Sequence, residues 1–364
     1  MFFGNHAQLG LAAKIPVPDP SPVLSYSPVV LDHVPNRPAP LQMRVSVPSP
    51  SSSSSTSSSE PLPVILLAHG LGLSSFLSSH EGYAPLADFL AGRGFAVIQP
   101  TFLYSRFYDP AKFHWKTSVR DLTQILDRLD EIEAAVPGLL LSSSSSGGRR
   151  MLDRERIAIV GHSFGAATVN LLLGVVNTDT RFPGEAGAAM FGGRDARIKA
   201  GVLMAVAGSG PLETEAGRKI LPFYGRDFGQ LRAPTLVVAG DSDASGYLTT
   251  RGPEFHMDAY RLAPGPKDLL TVRGGLHCLG GVDGWDAVGT PDTDPQRLGA
   301  VQRMTWAYLR SQLYEGDTAW ADACEALKGL GNSGTSSTNP SSNKGTKYFG
   351  RQRDKMFRKP ALAL

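Results

Sequence analysis

The chain has 364 residues, 41% hydrophobic and 19% charged, which is enough apolar material for one large core and within the size an α/β architecture holds as a single domain. Its two cysteines, Cys278 and Cys324, are too few for a disulfide framework or a four-cysteine zinc site, and free thiols are expected. The formal net charge of +3 is uneven: residues 341–364 carry seven basic side chains against the single acid Asp354, so the rest of the chain is net negative and no basic folded surface for specific nucleic-acid binding is expected.

The first residues lack a basic segment followed by an apolar one, so no secretory signal is read there. No apolar run reaches the roughly 18 to 20 residues that span a bilayer. A soluble cytoplasmic protein without a transmembrane segment is the expectation. Residues 1–26 read as an extended, proline-rich arm. Residues 28–32 and 41–47 suit an antiparallel pair. Residues 49–59 are nearly pure serine, and residues 142–148 are a second serine-glycine run; neither has apolar surface to offset the entropy of ordering, so both read as surface loops.

Residues 64–68 (VILLA) form a short continuous apolar run, as a strand buried on both faces should. A helix over 83–91 and a strand over 95–99 (FAVIQ), stopped by Pro100, follow. One long amphipathic helix is predicted over 117–136, because Val119, Leu122, Ile125, Leu126, Leu129 and Ile132 share a face. Strands over 156–160 (RIAIV), 200–207, 235–239 and 269–272 come next, and a closing helix over 297–313. Strands alternating with helices predict a mostly parallel central sheet covered on both faces. Residues 27–328 are read as one catalytic domain, and residues 329–364 as a disordered linker and basic tail.

Gly161-His162-Ser163-Phe164-Gly165 is a G-x-S-x-G motif between the strand RIAIV and the apolar helix AATVNLLLG. That strand–turn–helix context is what the nucleophile elbow of the α/β-hydrolase fold requires, and it makes Ser163 the candidate nucleophile. The side chain of His162 is expected to point away across the turn. In this fold the acid and then the histidine follow in chain order, each after a late strand. The strand at 235–239 runs into Gly240-Asp241-Ser242-Asp243, and that at 269–272 into Arg273-Gly274-Gly275-Leu276-His277. His277 is the candidate base. Both Asp241 and Asp243 are available as the acid; the usual position, three residues after the strand-ending glycine, favours Asp243, with Asp241 anchoring the loop. The loop Leu67-Ala68-His69-Gly70-Leu71-Gly72 ends the VILLA strand, and the oxyanion donors are assigned to the N–H groups of Leu71 and Phe164. His69 is expected to brace that loop.

The segments LLAHGLGLSS, GYAPLADFLAGRGFAVIQP, LDRERIAIVGHSFGAAT, TLVVAGDSD and GGLHCLGG resemble the dienelactone-hydrolase-like and chlorophyllase-like α/β hydrolases, over residues 27–327. The elbow GHSFGAAT is also similar to that of intracellular platelet-activating-factor acetylhydrolases. The resemblance implies hydrolysis of a carboxylic ester. It does not extend to true dienelactone hydrolases, which carry a cysteine nucleophile where this chain has Ser163. Residues 101–115, dense in aromatics, and residues 209–230, in the place of a small cap, are expected to shape a pocket for a small-molecule ester with an apolar part. No cofactor or metal is expected. An acyltransferase or cyclase using the same acyl-serine, and a non-catalytic binding protein on the same fold, are the alternatives.

Overall fold

A computed structural model describes residues 6–49, 60–72, 74–105, 115–139, 151–179, 181, 190–284, 292–332 and 349–353. The serine runs, the Arg106 to His114 part of the aromatic stretch and most of the basic tail lie outside the described residues.

In chain order the strands are β1 (Val23–Leu31), β2 (Leu41–Pro48), β3 (Leu62–Ala68), β4 (Ala96–Pro100), β5 (Leu152–His162), β6 (Val176–Thr178), β7 (Met190–Phe191), β8 (Ile198–Met204), β9 (Gly210–Pro211), β10 (Gly225–Asp227), β11 (Thr235–Gly240), β12 (Lys267–Val272) and β13 (Phe349–Arg353). The helices are α1 (Ala84–Ala91), α2 (Trp115–Asp127), α3 (Leu129–Ala135), α4 (Phe164–Val169), α5 (Glu215–Ile220), α6 (Asp258–Leu262), α7 (Pro295–Leu313) and α8 (Ala319–Asn332). Among the described residues nine strands form one sheet in the order β1-β2-β4-β3-β5-β8-β11-β12-β13. From β4 to β12 every neighbour is parallel, and antiparallel strands close both edges.

The parallel strands are apolar along their whole length because both faces are covered. In β3, Val64, Leu66 and Ala68 face one core while Ile65 and Leu67 face the other; Ile157 and Ile159 oppose Ala158 and Val160 in the same way on β5. The first core is closed by α2, α3 and α4 through Leu122, Ile125, Ile132 and Val169. The second is closed by α1 and α7 through Leu86, Leu90, Val301 and Met304. Each such side chain contributes about 1.5 to 3 kcal/mol on burial.

The structure departs from the sequence reading at four places. The long helix expected over 117–136 is two helices, broken at Arg128, whose backbone (φ −118°, ψ 27°) leaves the helical region. The apolar periodicity runs across the break, since Leu129 and Ile132 still face the core, so spacing alone does not reveal it. The arm is not wholly extended: His6–Lys14 is a 3-10 segment, Ala12 and Ile15 are fully buried, Arg303 of α7 donates to the Ile15 carbonyl at 2.7 Å, and β1 already begins at Val23. Within the tail expected to be disordered, residues 349–353 form β13 against β12, which offers an open edge for pairing. A second sheet of four short strands, in the order β7-β6-β10-β9, joins residues just beyond the elbow helix to the cap stretch 209–230.

Candidate active site

Parallel strands deliver all their C-terminal ends to one edge of a sheet, and ligand sites of open α/β sheets form there. At this edge β5 passes directly into α4 through Ser163, whose φ of 53° and ψ of −122° hold it in a strained, non-helical conformation ahead of the first turn. Glycines on either side make the turn sterically feasible. A Cβ on Gly165 would sit 2.2 Å from the Ala68 carbonyl oxygen, and one on Gly161 would sit 2.6 Å from the Gly165 backbone. The Ser163 N–H donates to Met204 O at 2.9 Å, which fixes the elbow against β8.

His277 Nε2 lies 2.8 Å from Ser163 Oγ, and His277 Nδ1 lies 2.8 Å from Asp243 Oδ2. The three side chains, 34 and 114 residues apart in pairs, form one continuous hydrogen-bonded chain. Burial works against ionised Asp243, but hydrogen bonds from His256 and His277 together with their charge hold its carboxyl well below the usual range. Burial alone would make His277 less basic; the hydrogen bond and charge of Asp243, helped by Asp283, raise its pKa above the ordinary value of 6.5. Asp241 is exposed and turned away: its Oδ1 accepts the Gly274 N–H at 2.7 Å, tying the loop after β11 to the loop after β12.

Leu71 and Phe164 border the same cavity as Ser163. Among the described residues the Leu71 N–H has no protein acceptor, which leaves it free for a ligand. The loop carrying it runs close against Ser163, for a Cβ on Gly70 would lie 3.0 Å from Ser163 Cβ. His69 braces that loop from within, with Nδ1 donating to Gly70 O at 2.7 Å and Nε2 accepting from the Phe102 N–H at 3.1 Å. Burial lowers its pKa to about 3, so it is a neutral structural ring.

Tyr83 was not singled out in the sequence. It precedes α1 in a left-handed conformation (φ 63°), and its buried phenol accepts the Gly70 N–H at 2.9 Å. The same hydroxyl donates to His162 Nδ1 at 2.8 Å, and His162 Nε2 donates to the backbone oxygen of His277 at 2.7 Å. This relay joins the Leu71 loop, the elbow and the His277 loop through neutral groups. Burial, reinforced by the neighbouring His277, takes the His162 pKa down to about 3, so His162 is a spacer of fixed tautomer. On the far side of the His277 loop, Asp292 Oδ2 accepts the N–H groups of Leu276 (2.9 Å) and Gly280 (3.0 Å). Cys278 is buried and its Sγ donates to Asp283 at 3.2 Å; burial, then the Asp283 carboxylate, pushes the thiol's pKa up, leaving no reactive thiolate beside His277.

A cavity open to solvent lies over Ser163. Ala167, Ala205, Ala207, Leu221, Tyr224 and Leu248 give it an apolar wall, and Ile220 at the end of α5 closes one side. The cap stretch therefore contributes directly to the cavity, by way of α5 and the turn into β10. Asp243, His256 and His277 place one ligand-type atom each within 4.8 Å of one another, the one such group among the described residues. At 2.8 and 3.2 Å their atoms are bonded to each other, and the second nitrogen of His277 is committed to Ser163, so the group reads as a hydrogen-bonded array. His256 and Ser245, which complete that array, were not picked out in the sequence; no motif marks them.

Among solved structures the chain is similar to an esterase of the hyperthermophilic archaeon Pyrobaculum calidifontis, at 16% identity over 84% of this chain and 88% of that one, with a TM-score of 0.45. It is similar to a fungal esterase from Rhizomucor miehei at 15% identity (85% and 89% of the two chains, TM-score 0.48). A third likeness is to a ferulic acid esterase from Streptomyces cinnamoneus at 16% identity (82% and 94%, TM-score 0.45). A search of curated proteins gives no match. The model of the family described as "Alpha/beta hydrolase family" matches residues 65–335, a span that opens in β3 and takes in the Leu71 loop, the elbow and both loops that carry Asp243 and His277. On that match, over most of its length, this chain belongs to the alpha/beta hydrolase family.

Proposed function

We propose that the protein hydrolyses small carboxylic esters through an acyl intermediate on Ser163. The observation that carries this reading is the unbroken chain Ser163–His277–Asp243 at 2.8 Å per link, opening into an apolar cavity. Ser163 Oγ attacks the ester carbonyl carbon as His277 Nε2 takes its proton, and Asp243 holds the tautomer and stabilises the imidazolium that forms. The N–H groups of Leu71 and Phe164 receive the negative charge on the carbonyl oxygen. Collapse breaks the bond to the alkoxy oxygen, which takes the proton from His277 and leaves as the alcohol. Water, deprotonated by His277, then attacks the acyl-serine; the acid departs and Ser163 regains its proton.

Among the described residues the cavity walls are alanine, leucine and aromatic side chains with no charged side chain besides the histidines, which favours an apolar acyl group. The His277 side chain is 30% exposed, so water reaches the base, which favours hydrolysis over acyl transfer to a second alcohol. The test is turnover of p-nitrophenyl esters from acetate to long acyl chains, with Ser163→Ala as the control. Esters with an apolar acyl chain are expected to be cleaved, the chain-length profile sizing the acyl pocket, with activity abolished in the variant. A folded protein that cleaves no ester, or a variant that retains activity, would sink the reading.

A further inference from the structure

His256 is buried at the heart of the site, yet the reaction written above makes no use of it. It sits in the 3-10 segment Pro253–Met257 with its side chain 0% exposed. Its Nδ1 lies 2.9 Å from the carbonyl oxygen of Val206, which only accepts, so this nitrogen carries a proton. Its Nε2 lies 2.9 Å from Ser245 Oγ and 3.2 Å from Asp243 Oδ2, and Ser245 Oγ lies 2.9 Å from Asp243 Oδ1.

One arrangement of protons serves all of these contacts. If Nε2 also carries a proton, it donates toward Ser245 and Asp243, and the Ser245 hydroxyl donates to Oδ1. If Nε2 is bare, its lone pair faces a carboxylate oxygen, and the single Ser245 proton is drawn away from Oδ1. Inside a protein a polar atom left facing a like partner is costly, so the first arrangement is favoured. Asp243 is then shared: two histidines meet on Oδ2, one at 2.8 Å and one at 3.2 Å, with their rings 5.7 Å apart.

We infer that His256 is a positioning residue that holds both ring protons, orients Asp243 together with Ser245, and draws off part of the carboxylate charge that would otherwise act on His277. The inference rests on the esterase reading of Ser163 and His277. The charged and titratable groups around this ring are Asp243 and Tyr247 from the loop after β11, His277 from the loop after β12, and His162 from the elbow. From the following helix Asp258 is already engaged by Arg251 at 2.6 and 2.8 Å. With Asp243 partly neutralised and a positive ring nearby, the His277 imidazolium is less favoured, and His277 stays a free base to lower pH than it would beside an unshared carboxylate.

Two measurements test this. The first is the nitrogen-15 shift of the histidine rings in the full-length protein, with the His256 signals assigned from a His256→Gln sample. Both His256 ring nitrogens are expected in the protonated range at about pH 7. A bare-nitrogen shift at Nε2 would overturn the inference. The second is the pH profile of kcat/KM on p-nitrophenyl acetate, where His256→Gln is expected to move the acid limb up by roughly one pH unit. An unmoved limb in a folded, active variant would overturn the effect on His277, since a packing residue would alter activity without displacing the limb. Absence of turnover in the unaltered protein at any pH would remove the esterase reading, while the ring shifts would still decide the state of His256. If the variant does not fold, the ring shifts in the unaltered protein remain decisive, assigned from their contacts to Phe255 and Ser245.

Discussion

The Ser163 end and the Asp243 end of the candidate site are built on different plans. Ser163 is placed by one continuous piece of chain, a buried strand running into a helix, and its conformation is enforced by backbone approaches of 2.2 and 2.6 Å at Gly165 and Gly161. Asp243 lies in a loop after β11 and is held by side chains from three places: Ser245 two residues on, His256 and His277. The first plan is steric and local; the second is electrostatic and depends on long-range assembly. Substitutions at the Ser163 end should therefore act on chemistry alone, while those at the Asp243 end should alter both reactivity and its pH dependence.

The largest effect is expected at the elbow. Ser163→Ala should reduce kcat on p-nitrophenyl esters by about 10⁴- to 10⁶-fold, with thermal stability little changed, because alanine keeps the Cβ and the positive-φ backbone and loses only Oγ with its hydrogen bond to His277. Next comes the acid. Asp243→Asn should cost roughly 10⁴-fold in kcat, since an amide can present the wrong group to His277 and no longer stabilises the imidazolium. The neighbouring Asp241→Asn, which keeps a side-chain oxygen for the exposed Gly274 N–H and the Ser242 hydroxyl, should stay within about threefold. If the two variants fell equally, the distinction between the two aspartates would fail.

A smaller effect is expected from the relay that joins the two ends. Tyr83→Phe leaves the Gly70 N–H and His162 Nδ1 without their shared partner in a buried place. A loss of about 1 to 3 kcal/mol is expected, read as a fall of several degrees in Tm, together with a kcat reduction smaller than that of Asp243→Asn. An unchanged Tm would show that the relay does not couple the loops. The subtlest expectation concerns pH. His277 must be neutral to accept the Ser163 proton, and its pKa in the folded protein is raised above 6.5, so kcat/KM should fall as pH drops through a midpoint above that value. A midpoint well below 6.5 would contradict the balance between burial and the Asp243 charge.

Much of the fold was legible because its signals are local. Continuous apolar runs such as VILLA and RIAIV announce strands buried on both faces, and they form the centre of the sheet. The break at Arg128 was invisible because the apolar stripe continues through it, and the docking of Ala12 and Ile15 was invisible because two residues in a proline-rich stretch show no period. The pairing of β6 with β10 joins residues about 50 apart in strands of three residues, too short for any pattern.

The chain by itself determined where Ser163, a carboxylate and a histidine would emerge at the sheet edge, because strand ends and tight turns are written in neighbouring residues: glycines that alone fit a close backbone approach, and apolar runs that alone suit a covered strand. Only the tertiary structure decided which partners those residues meet. The choice between Asp241 and Asp243 as the neighbour of His277, the tie from Gly70 through Tyr83 and His162, and the placing of His256 against Asp243 all depend on side chains from distant segments converging in a buried space. There hydrogen bonds must be matched and charge shared, and no short stretch of sequence encodes that matching.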